Sequence, residues 1–274
     1  MPAILCPVRG CARALSGDRK ILVCSRGHSF DVARSGYVNL LQPQDRRSKE
    51  PGDSRGAVEA RRRLADSGHD AWLVEPLLDV LDGAAPEAES PAVLDLGCGE
   101  GFLLGALSAQ RRMDAAGVDI SVYAIELAAK KYPGIRWIVA NADRRLPFSD
   151  GAFDFILSVT ARRNGGELRR LLRPGGRAVV AVPGEDDLAE LREAVLGRAD
   201  RKDRATAALA ELSRDLEPVA RRTIRRRTRY ESAEVRDLLA ATYRGARDRE
   251  RERAQDVGAM EITASRELLV FAGR

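Results

Sequence analysis

From Ala92 to the end of the chain, short apolar runs alternate with longer segments whose apolar residues recur at helical spacing. Seven of the apolar runs predict β-strands, at residues 92–96, 114–120, 135–140, 152–159, 176–183, 218–230 and 260–272. Strands that alternate with helices are typical of a parallel sheet. The sequence therefore predicts an α/β domain over residues 86–274, built on a seven-stranded sheet.

The length and composition of the chain allow one large domain with a small appendage. The 274 residues are 44% hydrophobic and 32% charged, which is enough apolar material for a full core. No apolar run approaches the roughly 18 residues that cross a bilayer, and the start of the chain, MPAILCPVRG, lacks the layout of a signal peptide. We therefore expect a cytoplasmic protein with no membrane partner. The net charge of +5 permits an anionic partner such as nucleic acid.

The N-terminal segment concentrates most of the metal-ligating residue types of the chain. Cys6 and Cys11 form one pair, Cys24 and His28 form a second, and the turn signal SGD lies between the pairs. Two close pairs on adjacent turns supply the four ligands of a tetrahedral zinc site, and four protein ligands leave no open catalytic position. The spacing predicts a structural zinc in a domain of residues 1–40. The alternative is that these are ordinary small buried residues.

Residues 41–85 predict a basic helical connector between the two domains. The stretch EPGDS predicts a turn with Asp53 or Ser54 as helix cap, and AVEARRRLADSG predicts a helix that ends at Gly68. The segment GAAPEAESPA, residues 83–92, has no periodic pattern and marks the second boundary. Two basic groups either contact phosphates or form solvated faces: Arg46, Arg47 and Lys49, then Arg61, Arg62 and Arg63.

The stretch VLDLGCGEG, residues 93–101, joins a strand to a helix through a glycine-rich turn. Gly97 and Gly99 allow the sharp turn and bring backbone N–H groups against a ligand at the helix N-terminus. The dinucleotide fingerprint is not met, because its third glycine would fall at Phe102. Asp95 and Glu100 would repel a diphosphate. An acidic glycine loop instead suits S-adenosylmethionine, which carries a sulfonium and an ammonium but no phosphate.

Two further acidic positions follow the next strands. Asp119 ends the second strand about 20 residues beyond the glycine loop, where a carboxylate accepts hydrogen bonds from both ribose hydroxyls of a nucleoside. The alternative for Asp119 is a helix cap beside Ser121. After the third strand, Asn141 and Asp143 are placed to meet the adenine edge of the cofactor.

The sequence resembles the bacterial methyltransferases that modify N1 of guanine in large-subunit ribosomal RNA. The resemblance rests on CSRGHSFDVARSGYVNLL, PGDS, ARRRLADSGH, VLDLGCGEGFL, LPFSDGAFD, ARRNGGELRRLLRPGG and VPGEDDLAELR. It implies a Rossmann-like class I methyltransferase domain behind a zinc module, and methyl transfer to a guanine in a hairpin of 23S rRNA. It also implies zinc at the four clustered residues. The expected cofactor contacts are Gly97, Gly99, Glu100, Asp119 and Asp143.

Several positions depart from the pattern of the family. The first zinc pair has two extra residues, and Asp70 and Asp187 replace residues that look like cofactor contacts in relatives. Thr160 and Arg162 replace the aromatic residue and proline that commonly follow the fourth strand. Two alternatives therefore stay open: an RNA-binding protein with this fold but without catalysis, and a methyltransferase of small molecules. A homodimer is also left open.

The sequence does not identify a general base for the reaction. Arg163 and Asn164 follow the fourth strand, where they either position the guanine or, for Asn164, cap the next helix. The run RRTIRRRTR, residues 221–229, is interpreted in two ways with equal weight. It binds phosphate, or its arginines protect a solvent-facing edge strand from aggregation.

Overall fold

The computed structural model describes residues 2–46, 48, 50–83, 89–197, 199, 201–242 and 257–274. Arg47 and Lys49 of the predicted basic connector and the predicted boundary between residues 85 and 86 lie outside the described residues. Within the described part of the chain, no helix combines the length and the apolar character that crossing a bilayer requires.

The N-terminal module is a small antiparallel sheet of three strands. Its strands are β1 (Leu15–Gly17), β2 (Ile21–Cys24) and β3 (Ser29–Asp31), in the order β1-β2-β3. The predicted turn between β1 and β2 is present. Its Asp18 carboxylate accepts hydrogen bonds from the backbone N–H groups of Lys20 (2.7 Å) and Ile21 (3.1 Å), which closes an Asx turn.

The connector contains more regular structure than the sequence predicts. Just before it lies β4 (Val38–Asn39). The connector itself comprises a 3₁₀ turn at Pro43–Asp45, α1 (Arg55–Asp66), a second 3₁₀ turn at Ala71–Leu73, and α2 (Val74–Gly83). Helix α1 begins as predicted, because the Ser54 hydroxyl accepts from the N–H of Ala57. It ends just before Gly68, whose φ of 80° is left-handed. Helix α2 was not predicted.

The large sheet contains all seven predicted strands. These are β5 (Ala92–Leu96), β6 (Asp114–Asp119), β7 (Arg136–Val139), β8 (Phe153–Val159), β9 (Leu172–Pro183), β10 (Leu216–Tyr230) and β11 (Met260–Gly273). The order is β10-β11-β9-β8-β5-β6-β7-β4, so the two-residue β4 adds an eighth strand. Strands β4 to β9 of this sheet pair in parallel, whereas β11 pairs antiparallel with both β9 and β10. The predicted α/β class is confirmed.

In the described part of this domain, six helices accompany the seven predicted strands. They are α3 (Phe102–Gln110), α4 (Val122–Lys131), α5 (Gly165–Leu171), α6 (Ala189–Leu196), α7 (Arg204–Leu212) and α8 (Ser232–Thr242). Apolar side chains of α2, α3 and α4 pack on one face of the sheet, and those of α5, α7 and the N-terminal module pack on the other. A third cluster joins α1, α6 and α8 to the end of β10 and the start of β11.

The N-terminal module and the connector are both attached to the sheet. The backbone N–H of Leu5 donates to the carbonyl of Pro147 (2.8 Å), and Ile4 lies in the same apolar cluster as Leu94 of β5. Leu77 of α2 is fully buried in the cluster on the opposite face. The division of the chain at residues 40 and 85 stays a prediction, and apolar packing crosses both positions.

Candidate active site and metal centre

The four predicted zinc ligands converge at one end of the N-terminal module. Their ligand atoms, the sulfurs of Cys6, Cys11 and Cys24 and a ring nitrogen of His28, all lie within 4.8 Å of one another. The three cysteines are buried, while His28 is partly exposed. The predicted grouping therefore occurs in three dimensions, and Cys98, the fourth cysteine of the chain, lies elsewhere, in the glycine loop between Gly97 and Gly99.

The spacing of these atoms fits a zinc ion. Zn–S bonds of about 2.3 Å and Zn–N bonds of about 2.0 Å at tetrahedral angles place neighbouring sulfurs about 3.8 Å apart, and sulfur about 3.5 Å from nitrogen. The Cys11 and Cys24 sulfurs are 3.8 Å apart, and Nδ1 of His28 is 3.4 Å from the sulfurs of both Cys6 and Cys24. The donor set of three thiols and one imidazole is that of a closed structural site.

Backbone N–H groups in both turns support thiolate ligands. Burial disfavours the Cys24 thiolate, but hydrogen bonds from the N–H groups of Arg26 and His28 and from the neighbouring thiols lower the pKa of Cys24 to about 6. Burial raises the pKa of Cys6, although a backbone hydrogen bond from Val8 acts in the opposite direction. The longer first turn thus keeps an amide-to-sulfur contact despite its two extra residues.

The glycine loop forms the strand-to-helix turn between β5 and α3. Gly97 (φ 72°) and Gly99 (φ 56°) both have left-handed backbone conformations, which other residues adopt only with strain. A Cβ atom on Gly97 would also lie 2.4 Å from the Cβ of Ala161 in the segment after β8. Glycine at this position therefore lets two loops at the carboxyl end of the sheet meet.

Asp119 holds the glycine loop against the tip of β6. Its carboxylate accepts hydrogen bonds from the backbone N–H groups of Gly99 (3.0 Å) and Ser121 (2.8 Å). The cap of α4 is Ser121, whose hydroxyl accepts from the N–H of Ala124 (3.3 Å). Asp119 is thus not the helix cap. Each of its oxygens keeps lone-pair capacity for a further donor, such as a ribose hydroxyl.

Buried carboxylates surround the glycine loop. Burial raises the pKa of Asp95 to about 7, and the negative charges of Asp119 and Glu100 add to that shift. Burial also raises the pKa of Asp119 and of Glu100, while the positive charge of Arg61 opposes both shifts. Burial likewise raises the pKa of Asp70, again opposed by Arg61 among other cations. Such a site favours a cationic ligand and disfavours a phosphate.

Arg61 is the arginine whose charge acts on the carboxylates of the glycine loop. The sequence did not distinguish it from its two neighbours. It lies on α1 and forms an ion pair with Asp53 at the start of that helix. Its two neighbours point elsewhere: Arg62 lies near acidic residues of α1 itself, and Arg63 pairs with Asp237 of α8 at 2.6 Å. The three arginines are consecutive in the sequence, and they meet different partners because successive side chains of a helix point in different directions.

Asn141 and Asp143 lie after β7, at the same end of the sheet. The Asn141 amide donates to the backbone carbonyl of Asp45 (3.0 Å), and its oxygen accepts from the N–H of Asp143 (2.9 Å). Asp143 pairs with Arg162 at 3.3 Å. Asn141 therefore fastens the connector to this loop, and Asp143 presents its carboxylate next to the segment that follows β8.

The segment after β8 has an unusual backbone. Thr160 has a φ of 53°, a left-handed conformation that is strained for a β-branched residue. Arg162 is 76% exposed, which leaves its guanidinium accessible from solvent. Arg163 pairs with Glu211 of α7 at 3.3 Å, and Asn164 caps α5 by accepting from the N–H of Glu167. The helix-cap interpretation of Asn164 is confirmed, and Arg162 keeps an accessible guanidinium although it pairs with Asp143.

Both aspartates that replace family residues lie near one arginine. Asp187 is buried and accepts from the side chain of Arg266 (2.5 Å) and the backbone N–H of Ser265 (2.9 Å). Burial raises the pKa of Asp70, and the positive charge of Arg266 opposes that rise. The two substitutions thus share a cation on β11.

Comparison with known proteins assigns both parts of the chain. A family model described as "Methyltransferase domain" matches residues 93–176, and a zinc-ribbon model described as "RlmA, N-terminal" matches residues 4–49. The first region contains the glycine loop and Asp119, and the second contains the four clustered metal-ligand residues.

Relatives extend over most of the chain. The 23S rRNA (guanine(748)-N(1))-methyltransferase of Streptomyces fradiae is 41% identical over 203 residues, which are 73% of this chain and 71% of that protein. A Micromonospora griseorubida protein, named as a candidate 23S rRNA (guanine-N1)-methyltransferase, is 33% identical over 87% of this chain and 85% of its own length.

The fold matches solved methyltransferase structures. A crystal structure from Bacillus halodurans C-125, named as a candidate methyltransferase, superposes with a TM-score of 0.50 and covers 72% of this chain and 98% of that chain. Its sequence identity of 13% supports the fold alone.

Proposed function

The chain belongs to the family of 23S rRNA (guanine-N1)-methyltransferases, and from this we propose that it transfers the methyl group of S-adenosylmethionine to N1 of a guanine in 23S rRNA. The observation that carries the proposal is that this chain combines a metal-binding cluster with a methyltransferase sheet. A Cys₃His cluster with zinc spacing is packed onto a methyltransferase sheet whose glycine loop is lined by carboxylates.

The carboxylates around the glycine loop would hold the cofactor. S-adenosylmethionine supplies an electrophilic methyl group on a positively charged sulfur. Gly97 and Gly99 let the backbone approach it, Asp119 would accept the ribose hydroxyls, and Glu100 would contribute negative charge. Asp143 would face the adenine, next to Arg162. All five cofactor contacts are proposals, supported by their common position at the carboxyl ends of β5, β6 and β7.

The target guanine would enter beside the segment that follows β8. This segment touches the glycine loop at Gly97 and carries the strained Thr160 and the exposed Arg162. Methylation at N1 requires that the base be turned out of its stack and that its N1 proton be removed. Thr160 would position the base, and Arg162 would hold a flanking phosphate. None of the described residues has a geometry that assigns it as the base for the N1 proton.

The zinc cluster would serve as a structural element of the RNA-binding half. It has four protein ligands, which leaves no position for a reacting group. We propose that the module grips a hairpin of 23S rRNA while the sheet domain supplies the methyl group. A ribosomal substrate would place the protein in the cytoplasm. The homodimer that the sequence leaves open likewise stays a proposal.

Incubation of the purified protein with tritium-labelled S-adenosylmethionine and unmodified 23S rRNA tests this function. We expect tritium to enter the RNA and to be recovered as 1-methylguanosine after nucleoside digestion. Transfer into RNA at another base position would replace the proposed target. Cofactor binding without any transfer would instead favour an RNA-binding protein that has lost catalysis. Labelling of a small-molecule acceptor in place of RNA would overturn the RNA assignment.

A further inference from the structure

The edge strand β10 carries arginines on both of its faces. On the face toward α7, four arginines are matched by acids of the protein itself. The pairs are Arg221 with Glu267 (2.7 Å), Arg225 with Asp186 (2.7 Å), Arg227 with Glu261 (3.9 Å) and Arg229 with Glu231 (3.1 Å). Each of these four arginines thus has an acidic partner on the protein itself within 4 Å.

The opposite face of β10 borders a groove. Arg222, Ile224 and Arg226 alternate along the strand. The other wall is formed by Trp72 of the 3₁₀ turn before α2 and by Pro76 of α2. The groove has a volume of about 430 Å³. Ile224 forms its apolar floor, since it is buried in the cluster that also holds α2 and α3.

The charge of this groove is only partly neutralised. Arg222 pairs with Asp79 of α2 at 2.9 Å, but both side chains are 55% exposed, so the pair is weak in water. No acidic side chain among the described residues forms an ion pair with Arg226, which is exposed. A partly buried tryptophan thus lies beside two solvent-facing guanidinium groups.

This combination of groups matches a single strand of nucleic acid. Unpaired bases stack on aromatic rings, and arginines bind the phosphates between them. We propose that the groove between Trp72 and the Arg222 to Arg226 edge of β10 binds a single-stranded segment of RNA. One base stacks on Trp72, and adjacent phosphates contact Arg222 and Arg226. This inference rests on the proposed function for the identity of the polymer.

The groove is linked along the chain to residues near the acidic site. Trp72 follows Asp70 by two residues, and Asp70 is close enough to Arg61 and Arg266 for their charges to shift its pKa. Tyr230, at the end of β10, stacks on His69. One end of an RNA strand bound in the groove would therefore point toward the cofactor site.

Tryptophan fluorescence tests the proposal directly, because the chain has two tryptophans and Trp137 is 1% exposed. Titration of the full-length protein with oligouridylate should quench the emission of Trp72, and a duplex RNA of equal length should quench it much less. In Trp72→Ala the quenching should disappear and binding should weaken roughly 5- to 100-fold, because no ring remains for a base to stack on. Equal quenching by both RNAs, or unchanged affinity of Trp72→Ala, would overturn the proposal.

Charge reversal gives the second measurement. Arg226→Glu should weaken oligouridylate binding and reduce the salt dependence of that binding, because fewer counterions are released. The matched control is Arg112→Glu, an exposed arginine next to the amino end of β6, which should bind RNA as the wild type does. Equal loss in both variants would show a general charge effect. Self-association through β10 would appear as a change in sedimentation of Arg226→Glu without any change in RNA affinity, and would contradict the proposal.

The two proposals fail in different ways. If the wild-type protein methylates 23S rRNA but Trp72→Ala and Arg226→Glu bind and methylate it equally well, only the groove assignment is wrong. If oligouridylate quenches Trp72 while no RNA accepts a methyl group from the wild-type protein, the groove binds RNA and the proposed reaction is wrong.

Discussion

One carboxylate oxygen of Asp119 accepts a hydrogen bond from the backbone N–H of Gly99 over 3.0 Å. The contact joins the tip of β6 to the loop after β5, so two segments about 20 residues apart in sequence form one surface. Asp119 therefore both shapes the glycine loop and would present lone pairs to the cofactor.

Asp119→Ala should weaken binding of S-adenosylmethionine and of its demethylated product by roughly 10- to 100-fold, since about 1.5 to 3 kcal/mol of hydrogen bonding is lost. Isothermal calorimetry measures both affinities. Asp82→Ala, which removes an exposed carboxylate next to Arg111, is the control and should bind normally. An unchanged affinity of Asp119→Ala would mean that the ribose lies elsewhere.

Cofactor affinity should rise with pH. The pKa of Asp95 is raised to about 7 by burial and by Asp119 and Glu100, so its carboxylate is largely protonated at pH 6 and ionised at pH 8. A cationic sulfonium favours the ionised form, so S-adenosylmethionine should bind up to about tenfold more tightly at the higher pH. The demethylated product lacks the sulfonium charge and should change less. Asp95→Asn should flatten the profile, and an equally steep profile in that variant would exclude Asp95.

The same group should affect the stability of the protein without cofactor. Because the folded-state pKa of Asp95 lies above its ordinary value, the stabilising contribution belongs to the neutral form and is lost as pH rises through about 7. Urea unfolding at pH 6 and pH 8 should show a lower free energy of unfolding at pH 8. Asp95→Asn should lose less stability over that interval than the wild type does.

The metal cluster should hold one zinc per chain. Cys24→Ser should lose the metal and unfold the N-terminal module, because the ligands of a structural site supply much of the folding energy of a small module. Cys98→Ser provides the control, since Cys98 is the cysteine outside the cluster and its replacement should keep full zinc content. Metal analysis of freshly purified protein checks this. A preparation without zinc would contradict the assignment.

The contact between His69 and Tyr230 should couple the connector to the sheet. The two rings stack with centroids 3.9 Å apart and an interplanar angle of 14°, and Nε2 of His69 lies 3.0 Å from a Glu234 carboxylate oxygen. A double-mutant cycle of His69→Ala and Tyr230→Leu, measured by urea unfolding, should give a coupling energy of about 0.5 to 1.5 kcal/mol. Strict additivity of the two changes would show that the stack contributes nothing.

The sequence predicts the elements that periodicity and capping residues control. All seven long strands were recognisable, and Ser54, Ser121 and Asn164 mark helix starts because their side chains accept backbone N–H groups. Helix α2 was missed because Pro76 near its start suggests a break, although proline is tolerated in the first turn of a helix. The two-residue β4 is too short for any periodic signal.

Tertiary proximity accounts for the rest. The four metal-ligand residues are close in sequence, so their grouping was predictable. The approach of Arg61 to Asp119 and Glu100 depends on how α1 packs against the ends of the strands, and no local pattern encodes it. The pairing of the β10 arginines likewise depends on acids from distant segments: Asp186 pairs with Arg225 on one face, and Asp79 pairs with Arg222 on the groove face.

The N-terminal module is also less separable than the sequence suggests. Ile4 and Leu15 lie in the apolar cluster that includes the sheet, and Asn39 pairs with Val139 of β7. Deleting residues 1–40 would therefore expose core surface and remove an edge strand. Point variants of the metal ligands and of the groove are better tests of the division of labour.

The most direct test of the central proposal is mass spectrometry of 23S rRNA from cells with and without this gene. The account predicts a 1-methylguanosine at one position of 23S rRNA that is present with the gene, absent without it, and restored by the wild-type gene but not by a gene carrying Asp119→Ala. Identical 23S rRNA modification in both strains would contradict it.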